Sequence, residues 1–132
     1  MSFFLFNKVL LKIMRIHRMS DSDISALNIP IQKYEEDIGF NDFKDKAKTI
    51  LGEKSLNYTK YLLILYVLID LYSLTNPERK NGLVKIMERL GLNTTTIQKI
   101  DQYLKLGLST GYIMLLFLNA SQKKRDPCKR LN

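Results

Sequence analysis

Apolar residues recur at helical spacing along most of the chain, and this pattern predicts a protein built of α-helices. Phe6, Val9, Ile13 and Ile16 follow this spacing in a first helix expected over about residues 3–19. No stretch of the sequence alternates convincingly between apolar and polar residues, as a half-buried strand would. The expected fold class is therefore all-α.

Capping residues, glycines and prolines predict where the next helices begin and end. A helix that follows Pro30 is expected to end at Gly39. Asn41 or Asp42 is then expected to cap a third helix, which ends at Gly52. These boundaries place two short helices between the first helix and the most apolar part of the chain.

The strongest predicted helix covers about residues 56–74, and its apolar run YLLILYVLIDLYSL occupies residues 61–74. A membrane-spanning helix needs about 20 apolar residues, so we interpret this shorter run as a helix buried on all sides and predict no transmembrane segment. The run contains Asp70, which is expected either to reach an exposed edge or to pair with a base such as Lys12 or Arg15, because a buried unpaired carboxylate is costly.

Three shorter helices are predicted after this run. Pro77 is expected in the first turn of one helix, which Gly91 ends. Asn93 or Thr94 is expected to cap the next, and a last helix is expected over about residues 112–120.

The length of 132 residues fits one domain. We therefore predict a single compact domain of about six to seven helices over residues 1–121, followed by a basic flexible tail over residues 122–132.

An ungapped comparison of residues 9–41 with residues 61–93 favours an internal duplication of residues 9–51 and 61–104. The comparison places Gly39 over Gly91 and sets apolar residues of one segment over apolar residues of the other. Two such helical units could pack together and bury what neither buries alone. The alternative is that any helical sequence rich in Leu, Ile and Lys aligns with itself this well.

The chain has 21 basic and 13 acidic residues and a net charge of +8. Residues 1–20, 54–120 and 121–132 each carry +4, whereas residues 21–53 carry −4. This excess favours an anionic partner such as a nucleic acid or an acidic membrane face. The first twenty residues, which lack acids, also have the character of an organellar transit peptide, but they are poor in Ser and their apolar spacing favours a core-facing helix.

Side chains suited to catalysis or metal binding are few. The single His17 has no identifiable catalytic partner, and the single Cys128 can form neither a disulfide within the chain nor a thiolate metal site, which is typical of a reducing compartment. Glu35, Glu36 and Asp37 are consecutive, so on a helix they point in different directions and cannot all meet one ion. The chain is therefore predicted to be a cytoplasmic, non-enzymatic protein without a cofactor or a metal site.

Residues 83–104 have the pattern of a helix-turn-helix, with Gly91 in the turn and the apolar Ile97 six residues later. Met87 departs from this pattern, because a small residue usually stands four positions before the glycine. Polar residues of the second helix would face a major groove, where Gln and Lys contact base edges or phosphates and Thr offers a hydroxyl and a methyl group. The alternative is a structural corner, which is common in helical proteins.

Nucleic-acid binding, in a subunit of a nucleoprotein complex for example, is the function that charge and motif favour. The residues predicted to bind nucleic acid are polar or basic side chains of the first helix, the helix-turn-helix and the tail. They are Lys8, Lys12, Arg15, Arg18, Arg79, Lys80, Lys85, Arg89, Thr94, Thr95, Thr96, Gln98, Lys99, Gln102, Lys123, Lys124 and Arg125.

Residues 61–104 also resemble the TerB-like domain of tellurite-resistance TerB proteins, through the buried helix LLILYVLID, the helix start Asn76-Pro77-Glu78 and the segment MERLGL before a capped helix. This resemblance implies a seven-helix fold with internal twofold symmetry. Tyr72-Ser73 stands where the family carries Asp-Gly, and only Glu78 matches its acidic set, so the metal site of the family is not expected here. The resemblance gives the alternative function, a helical protein-interaction scaffold associated with stress or a membrane, with a protein partner or a homo-oligomer.

Overall fold

The computed structural model describes residues 31–125, and these residues form α-helices joined by short turns, with no strand among them. This confirms the predicted all-α fold. The helices are α1 (Ile31–Tyr34), α2 (Ile38–Leu51), α3 (Ser55–Leu74), α4 (Pro77–Arg89), α5 (Thr94–Lys105) and α6 (Thr110–Arg125), and a 3-10 turn at Gly52–Lys54 joins α2 to α3.

Helix α3 is the centre of the fold. All residues from Leu62 to Ile69 are buried, so this part of the helix is covered on every side, as its uninterrupted apolar sequence predicts. Helices α1, α2, α4 and α6 all pack against it, whereas α5 packs on α4 and α6. No helix within residues 31–125 combines the length and the apolar character needed to cross a bilayer.

The helix that follows Pro30 does not continue to Gly39, so this boundary prediction is wrong. Helix α1 ends at Tyr34, and Asp37 caps α2 by accepting a hydrogen bond from the Phe40 amide at 2.9 Å. Neither of the predicted caps is used, because α2 has already begun when the chain reaches Asn41.

Gly39 lies inside α2, where its small size allows a close approach to α3. A Cβ atom at Gly39 would lie 2.5 Å from the hydroxyl oxygen of Tyr66, and one at Gly111 of α6 would lie 3.3 Å from the Cβ atom of Phe43. Both glycines therefore serve the packing of neighbouring helices, and Gly39 is not a helix stop.

The remaining predicted boundaries agree well with the structure. Gly52 ends α2 with a φ of 63°, and Asn76 caps α4, whose first residue is Pro77. Helix α6 is longer than predicted, since it starts at Thr110 and continues to Arg125, beyond the predicted domain end at residue 121.

The proposed duplication meets a discrepancy at its best-aligned glycines. Gly39 is a helical residue of α2, whereas Gly91 lies in the turn between α4 and α5 with a φ of 101°. Residues 9–30, half of the first unit, lie outside the described residues. The internal duplication therefore stays a prediction.

Candidate nucleic-acid interface at the corner of α4 and α5

The turn between α4 and α5 is fixed by one glycine and one cap. Gly91 has a φ of 101°, which residues with a Cβ atom rarely adopt, and its amide donates to the Glu88 carbonyl at 2.9 Å. The Asn93 side chain then accepts a hydrogen bond from the Thr96 amide at 2.8 Å. Because Asn93 supplies this cap, α5 begins at Thr94. The start of the helix determines which of its side chains face the core and which face outward.

The polar face of α5 points away from the core. Ile97 and Ile100 are buried against the rest of the protein, as the apolar spacing predicts. Besides the charged Lys105, the opposite side of the helix carries side chains that are exposed and uncharged. These are Thr94, Thr95, Gln98 and Gln102.

Thr96 does not belong to this exposed face, so its predicted role in groove contact is wrong. The residue is fully buried, because it precedes Ile100 by four positions and therefore shares the buried side of the helix. Its hydroxyl oxygen has no hydrogen-bond partner within the described part of the chain.

Two of the predicted basic residues lie over aromatic rings. The Lys80 ammonium is 4.7 Å from the centroid of the Tyr72 ring, and the Lys99 ammonium is 5.6 Å from that of Tyr103. Both lysines are half-buried, so their stems cover apolar surface and their charges are held close to the protein.

The other three basic residues of α4 are exposed. Arg79, Lys85 and Arg89 have no ion-pair partner among the side chains that the structure describes. Lys85 and Arg89 are four positions apart and therefore share one side of α4, whereas Lys80 and Arg89 are separated by about 180° around the helix at ~100° per residue. The predicted basic residues of α4 do not form a single stripe.

Met87 occupies the position where a helix-turn-helix usually has a small residue. It is 1% exposed, so its long side chain is part of the core. A small residue at this position would let α4 and α5 approach more closely, so the helix–Gly–helix corner of this chain is built around a larger residue.

A polar network that sequence reasoning missed borders the exposed face of α5. The Tyr72 hydroxyl donates to Asp101 Oδ1 at 2.9 Å, and the Lys105 ammonium lies 2.9 Å from Asp101 Oδ2. The spacing of four residues between Asp101 and Lys105 on a helix could have revealed their pairing, but nothing in the sequence indicates that Tyr72 reaches the same carboxylate.

The pKa values of Asp101 and Tyr72 in this network are shifted in opposite directions. The hydrogen bond from Lys105 is the main cause that holds the pKa of Asp101 below its ordinary value. Burial raises the pKa of Tyr72 to about 12, and its hydrogen bond to Asp101 adds to this effect. Asp101 is therefore ionised, and the adjacent positive charge of Lys105 offsets its negative charge.

An open cleft of about 440 Å³ lies along the network. Its lining combines apolar, amide and charged side chains. They are Tyr72, Ile97, Gln98, Asp101, Gln102 and Lys105.

Charge is unevenly distributed among the described helices. Residues 77–105, which include α4 and α5, carry a net charge of +3, whereas residues 31–53, which include α1 and α2, carry −2. Helix α2 packs on α3 and α6, whereas α4 packs on α3 and α5. The sequence of the corner therefore carries an excess of positive charge that α1 and α2 lack.

A second polar cluster joins three helices through Asp70. The Tyr34 hydroxyl donates to Asp70 Oδ2 at 2.6 Å, and the Thr110 hydroxyl donates to Asp70 Oδ1 at 3.2 Å. Asp70 is half-buried, and its described partners are hydroxyl groups. The predicted bases Lys12 and Arg15 lie outside the described residues. No group of three or more His, Cys, Asp or Glu side chains within residues 31–125 is arranged to hold a metal ion.

The remaining predicted site residues cannot be placed at the corner. Lys8, Lys12, Arg15 and Arg18 lie outside the described residues. Lys123, Lys124 and Arg125 belong to the last part of α6, but their side chains are outside the description.

Fold and corner together define an all-α protein with a capped helix–Gly–helix corner, whose second helix exposes uncharged polar side chains. Comparison of the chain with family models, curated proteins and solved structures finds no match. The resemblance to TerB-like domains stays a prediction.

Proposed function

We propose that the protein is a small basic, non-enzymatic protein that binds nucleic acid through the corner of α4 and α5. The observation that carries this proposal is the exposed face of α5, which presents hydroxyl and amide groups directly after a capped turn. Such groups can hydrogen-bond base edges, and a helix that follows a tight turn is the element that enters a groove in helix-turn-helix proteins.

The exposed bases of α4 would supply the electrostatic part of binding. Arg79, Lys85 and Arg89 are exposed and lack described ion-pair partners, so their positive charge is available to phosphates. The ion pair of Lys105 with Asp101 offsets the negative charge that would otherwise repel phosphates near α5.

The salt dependence of binding tests the proposal. Affinity of the full chain for a duplex is measured by fluorescence anisotropy over a series of salt concentrations. We expect a log–log slope of several units, and we expect Lys85→Ala or Arg89→Ala to reduce the slope by about one unit each.

Lys46→Ala is the matched control, because Lys46 is exposed on α2, a helix that is not part of the corner, and pairs with Asp42 at 3.0 Å. This variant should leave the slope unchanged. A slope near zero in the unaltered protein, or equal losses for Lys46→Ala and Lys85→Ala, would contradict binding at the corner.

A protein-interaction scaffold is the second candidate function, and large exposed apolar side chains favour it. Ile38 is 87% exposed, and Leu74 and Leu106 are 76% and 75% exposed. If these residues mediate self-association, the mass measured by light scattering should rise with protein concentration, independently of salt, and Leu74→Asp or Leu106→Asp should prevent this rise. A concentration-independent monomer would exclude the homo-oligomer.

A further inference from the structure

We infer that the exposed face of α5 reads A·T base pairs of double-stranded DNA through the major groove. This inference rests on the proposed function and adds the kind of nucleic acid and the base pair. It follows from a comparison of the polar side chains of α5 that have no described partner with those that contact other groups of the protein.

Two glutamines provide the available groups. Gln98 and Gln102 are exposed, they lie on one side of α5, and neither side chain has a hydrogen-bond partner among the described residues. A glutamine amide carries a donor and an acceptor, and it can bond both the N6 amino group and N7 of adenine. Thr94 lies one further turn toward the start of the helix, where its methyl group can contact a thymine methyl.

The spacing of these residues suits successive base pairs. Residues four positions apart on a helix are separated by about 6 Å along its axis. This distance is close to two base steps of about 3.4 Å each. Thr94, Gln98 and Gln102 thus present three contacts at the spacing of alternate bases, each turned by about 40° around the helix axis from the one before.

The groups that would read G·C pairs have contacts within the protein that the two glutamine side chains lack. Guanine is read mainly by Arg or Lys, but α5 has no Arg, Lys99 lies over the Tyr103 ring, and Lys105, whose side chain is 75% exposed, pairs with Asp101. Cytosine is read by carboxylates, but both oxygens of Asp101 already accept bonds, from Tyr72 and Lys105. The free readout groups of this face therefore match adenine and thymine.

Two duplexes of equal length, one of alternating A·T pairs and one of alternating G·C pairs, test the inference in fluorescence anisotropy at low salt. We expect the full chain to bind the A·T duplex about tenfold or more tightly. The double variant Gln98→Ala with Gln102→Ala should lose this preference and keep its affinity for the G·C duplex. Because both side chains are exposed, circular dichroism should show an unchanged fold.

Two further variants separate base readout from phosphate contact. Gln98→Arg with Gln102→Arg should shift the preference toward G·C, because Arg bonds O6 and N7 of guanine. Lys85→Ala should weaken binding to both duplexes by the same factor.

Each contrary result has a distinct meaning. Equal affinity for the two duplexes, a preference that survives in the double Ala variant, or tighter binding to a single strand or to RNA would overturn the A·T inference while nucleic-acid binding stands. Failure to bind any of these nucleic acids at low salt would overturn the proposed function together with the inference.

Discussion

At the scale of single residues, Thr96 has a polar side chain in an unfavourable environment. It is fully buried, and its hydroxyl has no partner within the described part of the chain. Burying an unpaired hydroxyl costs free energy that a methyl group of the same size does not. The residue therefore weakens the core of the corner that it helps to form.

Thr96→Val should raise the free energy of unfolding by about 1 kcal/mol, because it replaces the unpaired hydroxyl by a methyl group. Urea denaturation monitored by circular dichroism measures this change. Thr95→Val is the control at an exposed position and should change stability by less than about 0.5 kcal/mol. A loss of stability in Thr96→Val would mean that the hydroxyl has a partner after all, such as a buried water.

Sequence periodicity predicted the environment of most residues of α5, but not that of Thr96. The stripe of Ile97 and Ile100 is readily seen, since both are apolar. The three consecutive threonines are all polar and were therefore all expected on the exposed face, although the position of Thr96 four residues before Ile100 places it on the buried side. The bond from Tyr72 to Asp101 was also unpredictable, because it joins two helices whose relative placement is a tertiary property.

At the scale of elements, two glycines of the corner illustrate opposite backbone requirements. Gly91 has a φ of 101° in the turn, whereas Gly82 lies within α4, and nothing is within 4 Å of where its Cβ atom would be. The same substitution should therefore have opposite effects at the two positions.

Gly91→Ala should lower the free energy of unfolding by about 1 to 3 kcal/mol, because Ala rarely adopts a positive φ. Gly82→Ala should raise it by up to about 1 kcal/mol, because Ala favours a helix interior. Thermal or urea denaturation of the two variants measures both effects. If both variants lose stability equally, the assigned conformations of turn and helix are incorrect.

Most helices could be predicted from the sequence, because their caps and breaks are local signals. Asn76, Pro77 and Asn93 act where their residue types predict. The start of α2 was predicted wrongly, since a glycine required for close packing against Tyr66 looks the same in sequence as a glycine that ends a helix. Local signals give helix boundaries, but they do not show which helices touch.

At the scale of the whole molecule, buried tyrosines join the helices to one another. Tyr66 of α3 contacts the rings of Tyr34, Phe40 and Phe43, so α1, α2 and α3 share one aromatic cluster. Tyr72 connects α3 to α5 through Asp101. The free energy of unfolding therefore depends on the protonation of these hydroxyls.

The free energy of unfolding should fall between about pH 10 and 12. Burial raises the pKa of Tyr66 and Tyr72 to about 12, from an ordinary value of 10.0. Burial and the neighbouring Asp70 also raise the pKa of Tyr34. The unfolded chain thus loses these protons at lower pH than the folded protein, so the stabilisation that is complete below pH 10 is lost as the pH rises toward 12.

Urea denaturation at a series of alkaline pH values, with tyrosinate absorbance recorded in parallel, checks this dependence. Tyr72→Phe should make the decline with pH less steep, because one titrating group is removed. Tyr112→Phe, at an exposed position, should leave the decline unchanged. A decline of equal steepness in both variants would show that Tyr72 does not contribute.

The burial of α3 on every side has a consequence for how the protein is made. Residues 62–69 leave the ribosome before α4 and α6, two of the helices that cover them. While α6 is still inside the ribosome, α3 lacks the part of this cover to which Met114 and Phe117 of α6 belong, and apolar surface left open in this way favours aggregation. Emergence of α6 is thus the step that completes the cover of α3 on the growing polypeptide.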